Sequence, residues 1–321
     1  MKSLLACSVA LAVALSADAA RAADWPAKPV RVIVSYAAGG ANDLLGRVFA
    51  ERLSKAFGQN FFVENRTGGG GLIGTEAAAR AEPDGYTLIV SGMPSHVLAP
   101  AMNKNASFDP VRDFTHIAYL GGPPNVFAVH SSHEATSFKQ LLDLMRKTPD
   151  GTQYVSPSIG SVGNMVAEYM AAREKVKLVH VTYRGGGAAI LDLVAGHVKV
   201  GSMTLSTTRA HIQAGKLRPL AVSAAQRVKE FPDLPTLTEL GYPELVVTTW
   251  YGLSGPAKLP RDIVEKLNRE VNAAMREPEV QRHLEQEMVQ TKAMTADEFT
   301  AFMRGEVEKW VPAVRRVIDV K

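Results

Sequence analysis

The chain has 321 residues, 46% hydrophobic and 21% charged, with 26 glycines and 18 prolines. That balance is globular, and the length is one at which a single core gives way to two. Its 36 Lys and Arg against 32 Asp and Glu give a net charge of +4, without a run of like charge or a basic stripe interleaved with aromatics, which excludes a nucleic-acid or polybasic membrane partner.

The N-terminus reads as an export signal over residues 1–22. Lys2 precedes an apolar run from Leu4 to Leu15, and Ala20-Arg21-Ala22 has the small-residue spacing that a signal peptidase accepts. About 12 apolar residues are too few for a membrane span, which needs roughly 20. The chain is expected to be exported. Cys7, the single cysteine, lies inside this signal; lipidation there would leave almost no apolar stretch ahead of it. The exported chain therefore holds no disulfide and depends on its core for stability.

Beyond it, short β-rich runs alternate with helical stretches, the signature of α/β layering around a mostly parallel sheet. The pattern predicts a strand at Val30 to Tyr36, a helix at Asn42 to Phe57 closed by Gly58, a strand at Phe61 to Glu64, a helix at Thr75 to Arg80 and a strand at Thr87 to Val90. It restarts at Phe127 to His130, with helices at Phe138 to Arg146, Val166 to Arg173, Ala189 to Ala195 and up to Ala214. Strands fall near Tyr154 and at Leu178 to Tyr183, Val198 to Met203 and Leu217 to Val222. A Pro-rich loop over 232–243 and a strand around Val246 to Leu253 lead to a helical end, where Ile263, Leu267, Val271 and Ala274 share a face and Thr295 with Glu298 forms a capping box. The expected organisation is two lobes, residues 23–122 with 247–321 and residues 123–246, and the chain crosses near Gly121 to Asn125 and Val246 to Trp250.

Four polar or Gly-rich turns lead from a strand into a helix: Ser35 to Asp43, Asn65 to Thr75, Ser156 to Asn164, and Thr182 to Gly187. Glycine lets backbone N–H groups approach a ligand, and a helix N-terminus offers unpaired donors, so such turns suit a small anion held between lobes. Other chemistry is poorly represented. Gly69-Gly70-Gly71-Leu72-Ile73-Gly74 fits G-x-G-x-x-G, but it follows the second strand and lacks the acidic residue about 20 positions on that a dinucleotide site needs. His130 and His133 sit in a Ser-rich connector, a poor metal pair, and no cofactor is expected. Asp43 reads first as a helix-start residue bonding the turn. Tyr36, Tyr183 and Trp250 are placed to wall a cleft or to fill the core.

Read in order, these segments resemble the substrate-binding proteins of tripartite tricarboxylate transporters, often called the Bug family. The resemblance runs through Trp25-Pro26-Ala27-Lys28-Pro29-Val30-Arg31-Val32-Ile33-Val34 into Gly39-Gly40-Ala41-Asn42-Asp43, then Glu64-Asn65-Arg66, Pro83-Asp84-Gly85-Tyr86-Thr87, Tyr183-Arg184-Gly185, Leu234-Pro235-Thr236 with Glu239-Leu240-Gly241-Tyr242-Pro243, and Trp250-Tyr251-Gly252-Leu253 with Gly255-Pro256. It implies a two-lobed periplasmic binding protein of type II, with a ligand cleft between the lobes. Such a protein closes like a flytrap on an organic acid and presents it to membrane transporter subunits, as a monomer and without catalysis, metal or cofactor. The ligand-binding candidates are Tyr36, Ala38, Gly39, Gly40 and Asp43; Gly70; Ser91; Ser158, Gly160, Ser161, Gly163 and Asn164; Tyr183, Arg184 and Gly185; and Trp250. Thr182, Asn164 and Ala188 depart from the residues common in the family, so the resemblance does not carry over the identity of the acid. Two other classes stand beside it: a ligand-binding sensor for a signalling partner, and an exported serine hydrolase built on Ser158, Ser161 and His180.

Overall fold

Residues 25–103, 106–183 and 185–319 are described in a computed structural model. The expected export signal over 1–22 and the candidate Arg184 lie outside the described residues.

Among the described residues, the strands form two five-stranded sheets. The first joins β1 (Val30–Val34), β2 (Phe61–Asn65), β3 (Thr87–Gly92), β4 (Phe114–Gly121) and β10 (Tyr251–Pro256) in the order β2-β1-β3-β10-β4. The second joins β5 (Asn125–His130), β6 (Thr152–Val155), β7 (Leu178–Val181), β8 (Val200–Thr204) and β9 (Leu217–Val222) in the order β7-β6-β8-β5-β9. Both sheets have one plan: three parallel strands on one side, then an antiparallel strand, β10 or β5, inserted before the last. The mostly parallel sheets expected from the sequence are therefore mixed. The cause is the crossing. Tyr251 pairs with Gly92 at the end of β3, and Asn125 pairs with Thr204 at the end of β8. A chain arriving from the other sheet thus enters at the carboxyl ends of the parallel strands and has to run back against them.

The two crossings lie side by side. Pro124 bridges Thr248, and the Thr249 N–H donates to the Pro123 carbonyl (2.9 Å).

Helix α1 (Ala41–Phe57) shows why these elements form. Leu45, Phe49 and Leu53 repeat every four residues and bury one face on the first sheet, and Gly58 at φ +65° returns its N–H to the Ser54 carbonyl. The first lobe continues with α2 (Leu72–Ala79), a π-helical segment Met93–Leu98 and α3 (Ala99–Met102). The second sheet carries α4 (Phe138–Arg146), α5 (Val162–Glu174), α6 (Gly186–Ala195) and α7 (Leu205–Gln213). Ile263, Leu267, Val271 and Ala274 of α8 (Arg261–Ala274) are buried against the first sheet, as their spacing predicts. After α9 (Pro278–Gln286), the capping box opens α10 (Ala296–Asp319): Thr295 N–H reaches Glu298 Oε2 (2.8 Å) and Glu298 N–H reaches Thr295 Oγ1 (3.2 Å). One apolar cluster links Phe127, Tyr154 and Val166 of the second lobe to Trp250 at the crossing and to Phe299 and Trp310 of α10, so this helix ties the two halves together.

Three departures from the sequence reading concern the crossings. β4 was not predicted, nor was the π-helical segment, and the strand expected around Val246 to Leu253 begins only at Tyr251.

Candidate functional site

In an open α/β sheet, ligands bind beyond the carboxyl ends of the strands where the strand order reverses. Here the chain goes from β1 outward to β2 and returns to the other side as β3. It does the same from β6 to β7 and back to β8. The reversals therefore lie between β1 and β3 and between β6 and β8. The segments leaving those four strands are Ser35 to Asp43, Met93–Leu98, Ser156 to Asn164 and the Thr204 end of β8, with the turns after β2 and β7 beside them.

The first-lobe turns are bonded to one another. Tyr36 Oη donates to the Gly70 carbonyl (3.0 Å), and Asn65 Nδ2 donates to both the Tyr36 carbonyl (3.0 Å) and Asp43 Oδ1 (2.8 Å). Asp43 Oδ2 accepts from Gly39 N–H (3.0 Å) and Arg47 Nε (2.9 Å). Asp43 is 2% exposed. Burial opposes its ionisation, but the bonds from Arg47, Gly39 and Asn65 outweigh it and hold the carboxyl below its usual value. Asp43 thus braces the turn, as the sequence reading expected. Gly71 is packed so tightly that a Cβ would stand 2.9 Å from Tyr36 Oη and 3.1 Å from Ser95 Cβ, which brings the first two turns and the π-helical segment together.

The second lobe repeats the arrangement. Ser161 caps α5, accepting from Asn164 N–H (3.2 Å) and donating to the Ser158 carbonyl (2.8 Å). Asn164 Oδ1 accepts from Gly160 N–H (3.1 Å) while its Nδ2 donates to Tyr154 Oη (2.7 Å), so this side chain is spent inside the turn. Gly185 N–H donates to the Pro157 carbonyl (2.8 Å), joining the third turn to the fourth, and Tyr183 Oη donates to Asp192. Gly160 faces Met102 of the first lobe: a Cβ built on it would be 2.6 Å from the sulfur.

The glycines divide into two kinds. A Cβ at Gly163 would lie 2.1 Å from the Ser202 carbonyl, so that glycine serves packing. At Gly40 a Cβ meets only the Ala37 carbonyl, at 3.8 Å, and at Gly39 and Gly185 nothing within 4 Å. Those three leave room beside the backbone at helix starts, the place that suits an anion; Ala38, Gly39 and Gly40 are exposed and Gly185 is half-buried, with the Gly39 and Gly185 N–H groups themselves bonded to Asp43 and Pro157.

Two candidates belong elsewhere. Ser91 is wholly buried and takes a hydrogen bond from Ser254 Oγ (2.8 Å), within a chain that continues to His116 (3.1 Å). Trp250 is also wholly buried, ringed by Phe299 and Phe302, and its indole N–H donates to Glu306 Oε2 (2.8 Å). Both are buried because the crossing strand β10 is inserted between β3, which carries Ser91, and β4 instead of lying at the edge. Sequence reasoning in turn passed over Asn65 and Ser95, and over Thr204, whose Oγ1 lies 2.8 Å from Thr207 Oγ1 at the end of β8. Only the position of Asn65 in Glu64-Asn65-Arg66 was a usable signal.

The hydrolase reading meets the wrong serine. Ser156, not Ser158 or Ser161, is the serine hydrogen-bonded with His180 Nε2 (2.8 Å), and it is wholly buried, while Ser161 is engaged by the Ser158 carbonyl (2.8 Å), so neither predicted nucleophile meets the imidazole. His130 and His133 each bond a near neighbour, Ser132 Oγ and Ala135 N–H.

Comparison with known proteins agrees with this geometry. The family model for the tripartite tricarboxylate transporter family receptor matches residues 45–318. Protein BugT of Bordetella pertussis is 30% identical over 307 residues, spanning 95% of this chain and 92% of its own. The R. palustris protein solved with adipate superposes with a TM-score of 0.82 at 28% identity, over 92% of this chain and 98% of that one. MatC from Rhodopseudomonas palustris, solved with bound malate, gives 0.80 at 27% over 90% and 100%, and the periplasmic binding protein BugD 0.79 at 29% over 91% and 98%. With residues 45–318 matched and two glycine-lined turn pairs at the sheet reversals, the chain belongs to the tripartite tricarboxylate transporter receptor family, the Bug-type solute-binding proteins, whose members are receptors and not enzymes.

Proposed function

We propose that this protein is a periplasmic receptor that captures a small carboxylate between two lobes, residues 23–122 with 247–321 and residues 123–246, and delivers it to transporter subunits in the membrane. The observation that carries the reading is the uncrowded turn surface at Gly39, Gly40 and Gly185, at helix starts on the carboxyl edges of two sheets built to one plan. Relatives solved with adipate and malate support the ligand class. In this reading the ligand is bonded by both lobes only when they approach, so binding shifts an open population to a closed one. Tyr36 and the turn from Ala38 to Asp43 supply one wall, with Gly70; Ser158 to Asn164 and Tyr183 to Gly185 supply the other.

Thermal denaturation across mono-, di- and tricarboxylates tests it, since a ligand that binds only the folded state raises Tm by mass action. One acid is expected to give a saturable rise. Gly40→Val is the paired control: Gly40 is at φ −84°, ψ 166°, a conformation that valine adopts readily. The variant should keep the wild-type Tm without ligand and lose at least tenfold in affinity, about 1.4 kcal/mol. No shift with any acid on refolded, ligand-stripped protein overturns the reading; unchanged affinity in Gly40→Val removes this turn from the site.

A further inference from the structure

Asn42, the second residue of α1, is 4% exposed, yet neither its Nδ2 nor its Oδ1 has a hydrogen-bond partner. A buried amide left unpaired costs about 1–3 kcal/mol of desolvation, so native chains rarely keep one without a use. Its position is informative. Asn42 begins the buried row that continues as Leu45, Phe49 and Leu53, which sets it against the sheet at the carboxyl end of the parallel strands. It also follows Gly40 and Ala41 at a helix start with no side-chain cap, where the anion would sit. Its neighbour Asp43 contrasts with it: both carboxylate oxygens are already taken by Gly39, Arg47 and Asn65. The polar group that this turn keeps in reserve is thus a neutral amide.

We infer that Asn42 selects the ligand's second polar group and that the preferred acid bears a hydroxyl beside its carboxylate. This inference rests on the carboxylate reading above. A carboxamide with both ends unpaired matches a partner that donates and accepts, which a hydroxyl does. A second carboxylate only accepts, and an ammonium only donates and would look for an acidic oxygen that Asp43 no longer offers. The near-complete burial favours a small group over a second carboxamide.

Calorimetric titration of the full exported chain, stripped of ligand by unfolding and refolding, against pairs differing only in one hydroxyl (malate and succinate, lactate and propionate, 3-hydroxybutyrate and butyrate) decides the matter. The wild type should bind the hydroxylated member of at least one pair tenfold or more tightly. Asn42→Leu should bring the two members within threefold of each other, while its Tm without ligand rises because an unpaired amide has been removed. Asn42→Ser, which keeps a donor and acceptor in a smaller side chain, should retain part of the preference if Asn42→Leu does not fold. Carboxylate binding with no hydroxyl preference in the wild type overturns the role of Asn42 and leaves the receptor reading intact, as does a preference that survives in Asn42→Leu. Failure of every carboxylate to bind overturns the receptor reading itself.

Discussion

At the scale of single residues, the first turn depends on Asp43. Three donors converge on its two oxygens, and the linkage has a definite sign. Its folded value is depressed, so the stability it contributes is present above the unfolded value of about 3.9 and is lost as pH falls through the folded one. Asp43→Asn should therefore destabilise the protein at pH 7 by about 2 kcal/mol, the range for hydrogen bonds to a charged group, and the gap to wild type should begin to narrow below about pH 4. Urea melts at pH 7 and pH 3 measure this; a gap that is no smaller at pH 3 than at pH 7 would assign the effect to packing. This bracing role was legible from an acidic residue at a helix start. The burial of Ser91 and Trp250 was not, because a serine or tryptophan at a strand end looks the same in sequence whether its strand enters a sheet at the edge or through the middle.

At the scale of elements, the parallel strands and the long amphipathic helices were legible and the crossing segments were not. β4, Phe114–Gly121, carries Thr115 and His116 within its run, which hides its apolar signal, yet nearly all of it is buried. His116 fits there because its ring nitrogens meet Ser254 Oγ and the Pro110 carbonyl (3.0 Å), partners 138 and 6 residues away. Helix starts also came out late in the sequence reading: α2, α5 and α6 begin at Leu72, Val162 and Gly186, three or four residues before the predicted positions. Glycine-rich turns lower helix propensity, so their last residues look like loop even where they supply the first helical turn. Helix α10 makes a prediction at this scale. Glu306 receives the Trp250 indole N–H, and burial pushes its carboxyl above the usual value. Between its ordinary value, near 4.5, and the raised folded one, the native state holds a proton that the unfolded chain has released, so stability falls as pH rises through that window. Glu306→Gln keeps an acceptor for Trp250 and should flatten this slope, which Tm measured from pH 4 to pH 8 would detect. An unaltered slope would show that Glu306 does not titrate in this range.

At the scale of the whole molecule, the crossings at Pro123 to Asn125 and at Thr248 to Trp250 lie together, and both lead into the carboxyl edges of their sheets. In the closure proposed above, rotation about this paired connection would bring the turns of one lobe toward those of the other, and Gly160 already lies so near Met102 that a Cβ built on it would stand 2.6 Å from the sulfur. A saturating ligand should therefore reduce the radius of gyration in small-angle scattering; an unchanged radius with ligand bound would exclude closure. The sequence by itself determined the α/β class, the positions of the four turns, the receptor family and the caps at Gly58 and Thr295, because each rests on local periodicity, turn chemistry or an ordered set of short motifs. Only the folded arrangement shows that each sheet is mixed, that Ser91 and Trp250 are core, that His180 is hydrogen-bonded with the buried Ser156, and that Asn42 is buried without a partner. These facts depend on contacts between residues far apart in the chain, and pairing of that kind leaves no trace in local pattern.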